Sequence, residues 1–196
     1  MGILTLKSGK HYVTIAGPSG GGKSTLCKML LAKYENLVHS ISNTTRKIRE
    51  GEKHGVHYFY VEEIEFQRMI AADEMVEWAK VHGNYYGTSK KFLEDAAKDK
   101  KIVILDIDVQ GVESFKRIYP DETISIFLLP PDLKVLEARL RARATDPEDV
   151  IQRRLKNAER EIAKADQFDY CVVNNNLDAA FSELCEILEK EMGSSK

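Results

Sequence analysis

The sequence predicts an α/β protein: a three-layer core built on a parallel sheet, with an inserted mixed α/β subdomain and a short helical lid. Three observations carry this prediction. A β-prone run at 12–16 passes through a glycine-rich turn into an apolar-periodic segment. Two later runs, 102–107 and 124–129, are almost continuously β-branched or leucine, the pattern of strands covered on both faces, and helical segments follow them. Between 40 and 88 the texture changes to short candidate strands separated by charged, glycine-containing turns such as 49–55.

Taken in order, Leu26, Met29, Leu30 and Tyr34 share roughly one face of the helix that follows the glycine turn. A helix over 61–72 interrupts the inserted section, and 90–99 begins the return to the core. A strand over 102–107 leads to a helix over 112–118. Pro130-Pro131-Asp132 then makes a turn able to start a helix through Leu133, Leu136 and Leu140. Thr145-Asp146-Pro147-Glu148 breaks that helix from a long charged one reaching about residue 165. A strand at 169–173 and an amphipathic helix at 177–192 complete the alternation, and 193–196 reads as a frayed tail. Alternating strands and helices imply a parallel sheet with helices on both sides.

The 196 residues suffice for one domain with a sizeable core and an insertion. A net charge of −2 excludes a broad basic footprint for nucleic acid and a polybasic membrane anchor, though not a local basic pocket. Cys27, Cys171 and Cys185 are too scattered for a disulfide framework or a CxxC metal site; set among apolar residues, they read as buried thiols in a reducing compartment. With no signal core and no apolar run of membrane length, the chain reads as cytoplasmic.

The strongest motif is Gly17-Pro18-Ser19-Gly20-Gly21-Gly22-Lys23-Ser24, which satisfies GxxxxGK[ST] between a strand and a helix. The glycines let the backbone aim several N–H groups at one phosphate chain, and the helix N-terminus adds partial positive charge. Lys23 is placed to reach the β and γ phosphates, and the Ser24 hydroxyl to ligate Mg²⁺. The motif specifies a nucleotide phosphate and leaves the phosphoryl acceptor open.

Further motifs narrow it. Ser40-Ile41-Ser42-Asn43-Thr44-Thr45-Arg46 is followed by Arg49, Glu50-Gly51-Glu52, Gly55 and Tyr58-Phe59. Then come Glu77-Trp78-Ala79, Gly83-Asn84-Tyr85-Tyr86-Gly87-Thr88 and Leu105-Asp106-Ile107-Asp108-Val109-Gln110-Gly111. With the phosphate loop, these motifs make nearly the whole chain resemble the guanylate kinase family. The resemblance implies a P-loop three-layer core (1–39, 89–138 and 155–196), a GMP-binding subdomain (40–88) and an ATP lid (139–154). It implies ATP as donor, Mg²⁺ as cofactor, and GMP or dGMP as acceptor, with no nucleic-acid or membrane partner. Oligomeric state stays open between monomer and homodimer.

It also implies roles. Gly17, Ser19, Gly20, Gly21, Gly22, Lys23, Ser24 and Thr25 hold ATP phosphates. Arg46, Arg49, Tyr58 and Tyr86 hold the GMP phosphate, and two guanidinium forks suit a dianion. Glu77 reads the guanine edge, with Ser42, Thr88 and Asp106 nearby. A carboxylate accepts from the guanine N1–H and N2 amine, whereas adenine presents an acceptor at N1. Thr88 stands where many relatives carry serine. Asp106 and Asp108, alternating on one strand, point to one side at its C-terminal end, where open sheets bind ligands; Asp106 also orders water around Mg²⁺. Trp78 and Phe59 read as core packing.

The lid places Arg139, Arg143 and Arg154 near the transferring phosphate, completing with Lys23 and Arg46 the catalytic positive frame. Arg141 and Arg153 read as an ordinary charged face. Ala144 replaces the usual hinge glycine. Asn174, in Val172-Val173-Asn174-Asn175, matches an adenine-side contact or a turn, and Asn175 replaces the family aspartate. The resemblance leaves two alternatives to weigh. One is a non-catalytic interaction module, which usually lacks the phosphate loop or its lysine. The other is a kinase for a different monophosphate.

Overall fold

The computed structural model describes residues 2–5, 9–81, 83–142 and 147–195. The chain opens with β1 (Ile3–Leu4), β2 (Tyr12–Ala16), α1 (Lys23–Lys33) and β3 (Leu37–His39). The inserted section supplies β4 (Asn43–Thr44), β5 (Phe59–Tyr60), α2 (Glu63–Ala71), β6 (Met75–Val81) and β7 (Asn84–Ser89). The core resumes with α3 (Lys90–Lys98), β8 (Ile102–Asp106), α4 (Val109–Ile118) and β9 (Thr123–Leu129). Then follow α5 (Leu133–Ala142), α6 (Glu148–Ile162), a 3-10 turn (Ala165–Gln167), β10 (Tyr170–Val173), α7 (Leu177–Met192) and β11 (Ser194–Ser195).

The core sheet is parallel throughout, in the order β10-β9-β2-β8-β3. Its central strand β2 is buried at every position, because helices cover both faces. Side chains still alternate beneath that uniform burial. Val13 and Ile15 pack with Ile104, Ile126 and the apolar faces of α1 and α7, through Leu26, Leu30, Leu184 and Leu188. Tyr12 packs the other way with Val103, Leu105, Leu93 of α3 and Phe115 of α4. Ala16 joins Phe127, Val109 and Val112 on that same side. The three-layer prediction is thus realised strand by strand.

The inserted section forms a second sheet, ordered β5-β4-β7-β6. Here β4 pairs parallel with β5, and the β4/β7 and β6/β7 pairs are antiparallel. Phe66 anchors α2 to this sheet by stacking on Tyr85, with ring centroids 5.3 Å apart. Leu136 and Leu140 of α5 pack with Ile151 and Ala158 of α6, so the two lid helices share a small apolar core of their own.

Several expectations are corrected. β8 ends at Asp106 and α4 begins at Val109, earlier than expected. Asp108 therefore caps a helix instead of continuing a strand: its Oδ1 accepts from the Gly111 N–H at 2.7 Å. Gln110 and Gly111 lie inside the first helical turn, not before it. Cys171 is exposed, because β10 is an edge strand and its outward positions meet solvent; Cys27 and Cys185 are buried. Trp78 is 48% exposed instead of packed in a core. Ser194 and Ser195 do not fray: they pair with Leu4 and Ile3, tying the chain's ends together. Among the described residues, no helix is long and apolar enough to cross a membrane.

Candidate active site

The phosphate loop leaves the C-terminal end of β2 and closes on the first turn of α1. Gly17 at φ +139° has no room for a side chain, since a Cβ there would lie 2.4 Å from the Leu128 carbonyl oxygen. Gly22 occupies the N-cap of α1 at φ +97° with no side-chain cap, so the first N–H groups of the helix remain available to an anion. Lys23 curls back across the loop. Its Nζ donates to the Gly17 carbonyl at 2.6 Å and stands 4.0 Å from Asp106 Oδ1. Ser24 Oγ donates to Asp106 Oδ2 at 3.2 Å. A hydroxyl and a carboxylate side by side form a hard oxygen donor set that fits Mg²⁺. Cys27, on the next turn, is no nucleophile: burial and the Asp106 charge push its thiol up to about 12.

The loop predicts its own sensitivity. A Gly22→Ala change forces a Cβ to 2.3 Å from Asn174 Nδ2 at a positive φ. We expect it to lower Tm by about 4 °C or more, as a strained residue plus a clash exceeds ~2 kcal/mol. A thermal melt checks it.

Beyond Asp106 a cavity of about 250 Å³ is lined by Ser42, Tyr58, Glu77, Trp78, Tyr86 and the Asp106–Gly111 segment. Glu77 stands on β6 directly opposite Thr88 on β7, after a bulge between Met75 and Glu77. Thr88 Oγ1 donates to Glu77 Oε1 at 2.7 Å. Burial raises the Glu77 carboxyl above its ordinary value; the Thr88 bond opposes that, and the Asp108 charge adds to it. A larger cleft of about 900 Å³ lies between α3 and the inserted sheet, but it contains none of the phosphate-loop, acceptor-side or lid residues singled out above.

Arg46 lies under the rings of Tyr58 and Tyr60, at 5.4 and 5.8 Å. Its fork is bound bidentately to Glu52, at 2.7 and 3.0 Å. Arg49 stays exposed, and its backbone N–H also donates to Glu52, at 2.8 Å. Tyr86 stands 5.9 Å from Tyr58, ring to ring.

The lid meets the loop directly. Arg154 Nη1 donates to Ser19 Oγ at 3.1 Å, and Arg139 Nη2 donates to the Asn174 carbonyl at 2.9 Å. Leu136 and Leu140 lie closest to the open side of Gly20. Arg143 and Ala144 lie outside the described residues. Arg141 ties α5 to α6 through Glu137 and Glu148, both at 2.7 Å. Asn174 is buried with its amide nitrogen on the Gly21 carbonyl at 2.7 Å, so that side-chain donor faces the loop instead of a nucleotide base.

The sequence model described as guanylate kinase matches residues 9–191. The chain belongs to the guanylate kinase family.

Relatives agree along its length. It is 45% identical over 179 residues to the guanylate kinase of Carboxydothermus hydrogenoformans, covering 91% of this chain and 87% of that protein. With the guanylate kinase of Rickettsia felis it shares 39% over 188 residues, 96% of this chain and 97% of the other. The crystal structure of guanylate kinase from Anaplasma phagocytophilum superposes with a TM-score of 0.72 at 36% identity, covering 95% of this chain and 88% of that one. This guanylate kinase-family site also contains a residue to which the sequence reading gave no role. Glu52 accepts from Arg46, from the Arg49 N–H and from Tyr60 Oη at 2.8 Å. Its position in a charged, glycine-containing turn reads as a connector; only the fold brings it back onto Arg46.

Glu52 has an acid-range consequence. The Arg46 guanidinium, with the Arg49 N–H, holds its carboxyl at about 2 against an ordinary 4.5. The lowered value means that its contribution to stability is complete above pH 4.5 and drains away as pH falls toward 2. Acid unfolding followed by circular dichroism should therefore fall more steeply across that window in the wild type than in E52Q.

Proposed function

We propose that the chain catalyses reversible transfer of the γ-phosphoryl group of ATP to GMP or dGMP, by direct in-line displacement. The observation that carries this is the shared wall between the two halves of the site. Asp106 touches the phosphate-loop residues Lys23 and Ser24 on one side and lines the Glu77 cavity on the other. An acceptor in that cavity presents its phosphate toward the loop, at the C-terminal ends of the parallel strands.

On this reading an oxygen of the GMP phosphate attacks the γ-phosphorus, and the bond to the β–γ bridging oxygen of ATP breaks. The attacking oxygen is already anionic, so no general base is needed; positioning and charge compensation supply the rate. Lys23, Arg139, Arg143 and Arg154 offset charge at the transferring group, while the loop glycines 17 and 20–22, with Ser19 and Thr25, align the donor phosphates. Arg46, Arg49, Tyr58 and Tyr86 hold the acceptor phosphate, which must take the Arg46 fork from Glu52. Ser42, Glu77, Thr88 and Asp106 hold the guanine. Mg²⁺, held by Ser24 with Asp106 through water, would supply charge neutralisation at the donor phosphates.

The residues divide into core (1–39, 89–138, 155–196), acceptor subdomain (40–88) and lid (139–154). The buried Cys27 and Cys185 suit a reducing, cytoplasmic setting. The test is an acceptor panel with GMP, dGMP, AMP, UMP and CMP at fixed Mg²⁺-ATP. Turnover of GMP and dGMP at least a hundredfold above the others is expected, since guanine donors satisfy an ionised Glu77 and an adenine acceptor leaves it unpaired (about 10² or more in rate). Dominant AMP or UMP turnover would overturn the assignment.

A further inference from the structure

We propose that Asn174 is a positioning residue for the phosphate loop, fixing the Gly21–Gly22 peptide for donor binding; this rests on the donor-site reading above. Asn174 sits in the turn between β10 and α7 and is only 4% exposed. Three polar contacts hold it there. Its backbone N–H donates to the Leu129 carbonyl at the end of β9 (2.8 Å), and its carbonyl accepts from Arg139 of the lid (2.9 Å). Its side-chain Nδ2 donates to the Gly21 carbonyl, at 2.7 Å.

Three consecutive glycines, Gly20 to Gly22, give the loop large backbone freedom, and one well-placed bond removes much of it. No cis peptide occurs in the described residues, so the Gly21 carbonyl and Gly22 N–H point to opposite sides of their peptide plane. Holding the carbonyl on Asn174 therefore turns the Gly22 N–H away from it, at the uncapped start of α1, where an anion collects N–H donors. The fit is close on both sides, since a Cβ at Gly22 would meet Asn174 Nδ2 at 2.3 Å. The same residue carries Arg139 on its carbonyl, so lid and loop are referenced to one point. This places the Asn174 side chain in loop geometry, not in contact with the adenine.

The test compares N174A, which deletes the donor, with the near-isosteric N174D, which sets an acceptor against the Gly21 carbonyl. Calorimetry measures Mg²⁺-ADP and GMP binding separately, and steady-state kinetics measure KM for each substrate and kcat. Both variants are expected to weaken ADP about tenfold or more, the scale of one buried hydrogen bond, and to leave GMP affinity within about twofold. KM for ATP should rise and kcat fall, with KM for GMP unchanged. Unchanged ADP affinity in both variants overturns the proposal. Equal loss of ADP and GMP binding also overturns it, because that marks a general packing role. A wild-type chain that binds GMP but no ADP brings down the donor-site reading itself.

Discussion

Changing Lys23 to Met is expected to cut turnover by about three orders of magnitude while the chain stays folded, since one cation in a water-excluded phosphate site supplies roughly 3–4 kcal/mol of transition-state stabilisation. The structure explains why folding should survive. Lys23 opens α1 with its stem along the loop, and methionine retains most of that stem. The bond lost is the one from Nζ to the Gly17 carbonyl, a net cost of about 1 kcal/mol. Circular dichroism and a thermal melt establish the fold, and a coupled ADP-release assay measures the rate. A variant retaining a tenth of wild-type turnover removes Lys23 from the reaction.

The second large effect is at Glu77, where activity and stability should move in opposite directions. E77Q replaces an acceptor-only carboxylate by a group whose amide nitrogen opposes a guanine donor. Losing two charge-assisted bonds at about 1.5–3 kcal/mol each is expected to lower kcat/KM for GMP by at least 10², with far less change for AMP. Stability follows from the carboxyl's raised value in the fold. The folded state holds the proton more tightly than the unfolded one, so stability declines as pH rises above the ordinary carboxylate value, and the ionised form is a burden at neutral pH. Glutamine removes that burden and still accepts from Thr88, so Tm at pH 7 should stay level or rise. An E77Q enzyme with normal GMP kinetics would show that the base is read elsewhere.

The phosphate loop and the core strands were legible for the same physical reason: each is contiguous. Residues 17–24 carry their chemistry in one run, and β8 and β9 show their burial as unbroken apolar sequence. Asp108 was less legible, because a strand's alternation and a helix cap use the same residue, and only the actual end of β8 distinguishes them. Cys171 misled because its neighbours are apolar, while its exposure depends on β10 being the sheet edge.

The acceptor side was legible only through family resemblance. Glu77 meets Thr88 across an antiparallel pair whose register is shifted by a bulge, and no periodicity reveals that shift. Glu52 reaches Arg46 because the 47–51 turn folds back, which composition does not specify. What the sequence by itself determined is the set of chemical groups, the α/β class and the phosphate cradle, because local pattern and backbone freedom decide those. What tertiary structure alone decided is which groups share a partner. Asn174 under Gly21, Arg139 on the Asn174 carbonyl and Asp106 between two halves of a site are contacts between residues 35 to 153 positions apart, fixed by strand order and helix packing.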